Sequence, residues 1–466
     1  MKRMQAAAGN AAFLALLASL SSQGAWGQSA PDLAVGGPAP RTSSPKPACI
    51  LPGASVPAGA NTTDPGKPFF IDTKGLDLRT TPPTRDPLNP AYPRATTLPD
   101  GKLPSAGAQG NFIIGPSHAA APETATRAGV AQGAVHTFAM SSADSVIYKP
   151  GVVRDDIAGC KNSALNASPT APGDPSDVRV SASHAGNWTR EVDVYVPHGL
   201  RRGERAPFIV FGDGSKAGFF HERMLFTILD NMIAEHRLPP MVAIGIGAGG
   251  QDAQGSERGR EYDAVNGLYA EWVEREVLPR VERATGVRLT RNPDNRITMG
   301  FSSSGVAAFT MAWFHPELYR RVLAYSPTFT NQQWPHDPAL PGGAWEYHDP
   351  WPGPRKPALT AHGGTTSPAD ALAGIPLVPA SPRKPIRFWF EAGDRELFYY
   401  APTMADGMHD WTLSDERMAA VLGDKHYAYQ FVFARNARHV DPAVEAQTLP
   451  AALLWVWRGP HDGRAR

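Results

Sequence analysis

Three adjacent serines interrupt the run Arg296-Ile-Thr-Met-Gly-Phe-Ser-Ser-Ser-Gly-Val-Ala-Ala-Phe309, where a strand-like pattern breaks and a helix-like one begins. A serine at such a break is thrust out of a sharply reversed backbone, and the reversal demands very small residues two positions to either side. Ser302 meets that demand, with Gly300 before it and Ser304 after it. Ser303 would put Phe301 in a crowded position, and Ser304 would put Val306 there. Ser302 is therefore the expected nucleophile. The usual G-x-S-x-G spacing carries glycine where this chain has Ser304, followed directly by Gly305.

A serine hydroxyl attacks poorly at neutral pH unless a base takes its proton and a third group holds that base in the right tautomer. His439, in Arg435-Asn-Ala-Arg-His-Val-Asp441, falls between the last strand pattern and the last helix pattern, and is the expected base. His409 and His426 also follow the elbow, one among polar loop residues and the other at a helix end. For the acid, Glu391-Ala-Gly-Asp-Arg-Glu-Leu397 offers Asp394 and Glu396, and spacing alone does not choose. An oxyanion formed on acyl attack needs fixed backbone N–H donors. Ser303, directly after the nucleophile, would supply one; Asp213 or Gly214, in the turn Gly212-Asp-Gly214, would supply the other. Aromatic residues beside these segments are expected to contact substrate: Phe219 and Phe220, Trp334, Trp345 and Trp351, Tyr399 and Tyr400. Their faces suit a phenolic acyl group, a sugar ring or an aryl ester. No C-x-x-C or H-E-x-x-H is present, so neither a bound metal nor a cofactor is expected.

The elements that must position these residues follow from the hydropathy pattern. After Pro197 strands and helices alternate: strands at 207–211, 241–246, 321–326, 386–390 and 429–433, helices at 224–236, 265–285, 414–422 and 443–457, with the elbow strand and its helix between. Such alternation predicts a mostly parallel sheet with helices on both faces. Strands are also expected at 133–140, 178–183 and 191–196. The hydrolytic domain is assigned to 130–462, with a loop insertion over 149–177 and a lid-like excursion over 327–385. Residues 28–129 are dense in Pro, Gly, Ser, Thr and Ala, and are expected to form an irregular leader that wraps the domain. Met1-Lys-Arg, the apolar run 11–20 and Ala25-Trp-Gly27 read as a secretory signal peptide over 1–27. The expectation is an exported protein, periplasmic or extracellular, with no membrane association once the signal is removed. Cys49 and Cys160 would then be free to form a disulfide. Among 466 residues the net charge is only +1, which excludes a basic field able to hold nucleic acid. Oligomeric state leaves no mark on the sequence.

From Val192 to Arg458 the chain resembles the esterase family that contains enterochelin esterases, feruloyl esterases and mycolyltransferase-like proteins. The resemblance is carried by Val194-Tyr-Val-Pro197, Phe211-Gly-Asp-Gly214, Glu261-Tyr-Asp263, Glu276-Val-Leu-Pro279, the elbow with Phe309-Thr-Met-Ala-Trp313, and Thr448-Leu-Pro450 with Trp455. It implies an α/β-hydrolase fold, a small-molecule ester substrate, Ser302 as nucleophile and His439 as base. The family's acid sits in a G-x-x-D or G-x-x-E stretch, which maps to Gly393-Asp-Arg-Glu396 and favours Glu396. Ser304 in place of glycine, and the long leader, depart from the family pattern. The reading is a secreted serine carboxylic ester hydrolase. An acyltransferase or lactonase could use the same residues, and a non-catalytic binding protein could keep the scaffold.

Overall fold

The computed structural model describes residues 93–154, 183–201, 203–215, 222–249, 256–330, 343–349, 376–397 and 410–458. The expected signal peptide, both cysteines and the aromatics Phe219, Trp334 and Tyr399 lie outside these residues. In chain order the strands are β1 (Thr96–Thr97), β2 (Gly110–Ile114), β3 (Ala134–Ser141), β4 (Val152–Arg154), β5 (Ser183–Ala185), β6 (Thr189–Val196), β7 (Arg205–Ala206), β8 (Phe208–Gly212), β9 (Val242–Ile246), β10 (Arg288–Leu289), β11 (Arg296–Phe301), β12 (Arg321–Tyr325), β13 (Arg387–Arg395) and β14 (Ala428–Arg438). The helices are α1 (Glu222–Ala234), α2 (Glu257–Tyr262), α3 (Leu268–Trp272), α4 (Leu278–Thr285), α5 (Ser303–Phe314), α6 (Leu377–Ala380), α7 (Trp411–Asp424) and α8 (Pro442–Trp457).

Ten strands make one sheet in the order β1-β2-β14-β13-β12-β11-β8-β9-β6-β3. From β1 to β9 every neighbour is parallel, and β6 runs antiparallel to both β9 and β3. This is the mostly parallel sheet that the alternation predicts, in the α/β-hydrolase architecture that the family resemblance implies. Strands β8, β9, β11 and β12 are buried at every position, which is why they read as unbroken apolar runs rather than alternating ones. Their side chains still divide between faces: Phe208 and Val210 join α3, α4, α5 and α7 in one core, while Ile209 and Phe211 join α1 and α8 in the other.

Two elements differ from expectation. The expected helix 265–285 is split into α3 and α4 by a π turn, Val273–Val277, in which the Leu278 N–H reaches back to the Val273 carbonyl. Pro279, which has no N–H to donate, lies just beyond and breaks the regular ladder. The leader, expected to be irregular, contributes β1 and β2 to the sheet. Gly110–Ile114 pairs with Gln430–Ala434 of β14. Gln430 holds the strap: its Nε2 donates to the Ala108 carbonyl at 2.9 Å, while His118 bonds the Arg435 carbonyl at 2.7 Å and Gln447 at 2.8 Å. A five-residue strand with a short apolar segment is too weak a pattern to recognise without its partner.

Candidate active site

Strand β11 delivers the elbow to the carboxyl ends of the parallel strands. Ser302 adopts φ 55, ψ −125, a conformation in which a non-glycine residue is strained by roughly 1–3 kcal/mol. The strain is held from several directions. The Ser302 N–H donates to the Tyr325 carbonyl at 3.0 Å, and its own carbonyl accepts from Gly305 and Val306 within α5 and from Thr328. A Cβ on Gly300 would lie 2.0 Å from the Ser304 carbonyl oxygen, so only glycine fits there. Ser304 closes the other side of the turn: its hydroxyl donates to the Phe301 carbonyl and accepts from the Phe301 N–H, both at 2.8 Å. The serine that departs from the usual spacing therefore works as a clasp across the elbow.

His439 follows β14 in a short turn, with Val440 at φ 49. Its Nδ1 is hydrogen-bonded to Glu396 Oε1. Glu396, at the end of β13, is fully buried, while the His439 side chain keeps 20% exposure. Burial opposes ionisation of Glu396, but His439, the Ser326 hydroxyl and the Leu397 amide together hold its carboxyl below the ordinary value. Asp394 does something else. Its Oδ1 accepts the Ala437 N–H at 3.2 Å, where the β13–β14 register shifts, so it braces the loop that carries the histidine. Ser326 braces it too, accepting the Val440 N–H at 2.9 Å.

The serine and the imidazole are linked through two residues that sequence reasoning missed. Ser302 Oγ lies 3.3 Å from Thr328 Oγ1, which also receives the Trp411 Nε1–H at 3.1 Å. The Trp411 ring stands edge-on to His439, with centroids 5.7 Å apart. The hydroxyl rests on Thr328 rather than on the imidazole. Catalytic hydrogen bonds commonly tighten only when substrate is bound. Neither Thr328 nor Trp411 sits in a recognisable spacing; one follows β12 and the other opens α7 after its Asp410 cap.

The expected oxyanion donors are unequal. Ser303 is the first residue of α5, so its N–H has no acceptor within the helix. The Gly214 N–H donates to a backbone acceptor, the Ile246 carbonyl, at 3.1 Å. The Asp213 N–H, at φ 55, donates instead to a side chain, the Tyr262 hydroxyl, at 3.1 Å. Trp345, one of the aromatics expected near substrate, is buried, with Arg417 over its ring and His348 against its edge. Among the described residues no group of three or more His, Cys, Asp or Glu side chains could hold a metal ion. Among the same residues no helix is long and apolar enough to cross a membrane.

Residues 183–376 match the family model described as "Putative esterase". That is the family the motifs resemble, and the match takes in the 212–214 turn and the elbow but ends ahead of Glu396 and His439. No curated protein matches the chain. Similar solved structures include an enterochelin esterase from Shigella flexneri, 20% identical, covering 58% of this chain and 55% of that one with a TM-score of 0.36. The ferric enterobactin esterase of Salmonella typhimurium is 19% identical, covering 58% and 54%, TM-score 0.38. A ferulic acid esterase from the anaerobic fungus Anaeromyces mucronatus is 12% identical, covering 73% and 97%, TM-score 0.39. This chain thus spans little more than half the length of the two bacterial esterases.

Proposed function

We propose that this chain is a carboxylic ester hydrolase that works through an acyl-serine intermediate on Ser302. His439 takes the serine proton as Oγ attacks the ester carbonyl, and returns it to the departing alcohol. Glu396, ionised and bonded to Nδ1, fixes the tautomer that leaves Nε2 free to accept and stabilises the imidazolium that forms. The Ser303 and Asp213 amides receive the carbonyl oxygen as it becomes an oxyanion. Water activated by His439 then releases the acid and restores the serine.

The observation that carries this reading is the strained, partly buried Ser302 at a strand-to-helix reversal whose Gly300 cannot be enlarged, in the same corner as a buried carboxylate bonded to a partly exposed imidazole. The substrate is proposed to carry an aromatic, sugar or siderophore-type ester. Export through cleavage after residue 27 completes the proposal, and amino-terminal sequencing of the mature protein tests it. The central experiment is labelling by a fluorophosphonate together with hydrolysis of p-nitrophenyl acetate. Both are expected in the wild-type chain. Ser302→Ala is expected to lose the label and to reduce turnover by about 10⁶-fold, to background. Label and turnover retained in Ser302→Ala would overturn the assignment.

A further inference from the structure

Asp213 is a costly choice for the oxyanion turn. Its φ of 55 belongs to the left-handed region that glycine occupies freely, and its side chain is 2% exposed, so a charged carboxylate is buried where the chain could have used no side chain at all. Both carboxylate oxygens are taken by one residue. Arg258 donates Nε–H to Oδ1 at 2.9 Å and Nη2–H to Oδ2 at 2.8 Å. Two parallel bonds from a planar guanidinium fix the carboxylate in distance and in plane, which a single contact does not do. Arg258 lies on α2, and four residues further along the same helix Tyr262 accepts the Asp213 N–H. Helix α2 therefore grips Asp213 at the side chain and at the backbone. The turn is also pressed against the elbow: a Cβ on Gly212 would lie 2.7 Å from Ser304 Cβ and 2.8 Å from the Tyr262 hydroxyl.

We propose that Arg258 is a positioning residue for catalysis: by clamping the Asp213 carboxylate it holds the Asp213 amide at the angle that receives the oxyanion. This rests on the esterase reading above and deepens it. Arg258 touches no reacting atom. Its effect passes through Asp213, whose backbone would otherwise relax from positive φ and carry the N–H away from the site. Tyr262 accepts that N–H, and the developing oxyanion replaces the hydroxyl as its acceptor as the ester carbonyl becomes tetrahedral. An interaction of this kind strengthens in the transition state and contributes little to holding the ground-state ester. Its loss must therefore appear in kcat rather than in KM.

The test compares Arg258→Gln and Arg258→Lys with the wild-type chain. Turnover of p-nitrophenyl acetate is measured alongside the inhibition constant of an aryl boronic acid, which forms a tetrahedral adduct on the serine and so probes the oxyanion site directly. Arg258→Gln is expected to lower kcat by about 10- to 100-fold, part of the 10²–10³ that removal of a whole oxyanion donor costs, with KM changed less than about threefold. Boronate affinity should fall by the same factor as kcat. Arg258→Lys, which keeps the charge but not the fork, is expected to lie between the two. If Arg258→Gln does not fold, the pair Arg258→Gln with Asp213→Asn carries the same test, because it leaves no buried charge unpaired. The proposal is overturned if folded variants keep kcat and boronate affinity within about twofold of wild type, or if the loss appears in KM alone. In that event an inactive Ser302→Ala would leave the esterase reading standing. A wild-type chain that neither turns over esters nor binds the boronate overturns both.

Discussion

Glu396 and Asp394 stand two residues apart on one strand end, and the structure gives them different tasks. Beside the register shift that ends β13, Glu396 meets His439 Nδ1, while Asp394 accepts a backbone N–H from Ala437. Loss of a triad carboxylate leaves the imidazole free to adopt the wrong tautomer, whereas loss of a backbone brace only loosens the loop. Glu396→Gln is therefore expected to lower kcat by about 10²–10⁴-fold, and Asp394→Asn by less than about tenfold, in steady-state assays of the folded variants. The reverse order would move the acid to Asp394. The depressed carboxyl of Glu396 also fixes a sign. Its contribution to stability is present above the ordinary carboxylate pKa and is lost only as pH falls through its lowered folded value.

At the scale of the element, the elbow is a packing problem before it is a catalytic one. Strand β11 and helix α5 can meet at Ser302 only if the backbone around Gly300 and Ser304 approaches to contact. A methyl group on Gly300 would stand 2.0 Å from the Ser304 carbonyl oxygen and 2.2 Å from its carbonyl carbon, both of them backbone atoms that cannot swing aside. Gly300→Ala is accordingly expected to destabilise the fold by more than about 2 kcal/mol, read as a lowered Tm or a loss of soluble protein, with activity lost in whatever remains folded. An alanine variant with wild-type Tm and turnover would contradict the elbow geometry. The requirement for small flanking residues was legible in the six letters around Ser302. The clasp formed by the Ser304 hydroxyl was not, since it depends on where the Phe301 backbone points after the reversal.

For the molecule as a whole, buried carboxyls set the response to pH. Burial raises Glu416 to about 8 with no charged partner involved. Burial, with Asp193 nearby, raises Glu222 to about 7, and burial, with Glu261 nearby, raises Glu257 to about 7. Glu391, Asp415 and Glu445 are pushed well above the ordinary range by the same cause. Groups with raised folded pKa values bind protons more tightly when folded. The stability they contribute is full below the unfolded carboxylate pKa, roughly 4.3, and is lost as pH rises through the folded values. The Tm is expected to be highest in mildly acidic solution and to fall between about pH 5 and about pH 8.5. Glu416→Gln, whose amide resembles the protonated carboxyl at every pH, should shrink that fall by raising the Tm at the alkaline end. A Tm that rises over this interval, or a fall unchanged in the variant, would contradict the assignment.

The sequence by itself determined the sheet-and-helix alternation, the break at Ser302 and the place of His439 between the last strand and the last helix, because each is written in local periodicity and in the size of near neighbours. Only the tertiary structure decided what depends on distant segments meeting. It sorted Glu396 from Asp394 by the partner each meets beside the register shift that ends β13, tied the Gly214 N–H to the Ile246 carbonyl of β9, and drew the leader strand Gly110–Ile114 into the sheet beside β14. It also brought Thr328, Trp411 and Arg258 to the site from three separate elements. Hydrogen bonds and strand pairing across long loops have no period in the chain, so they become visible only once the backbone has closed on itself.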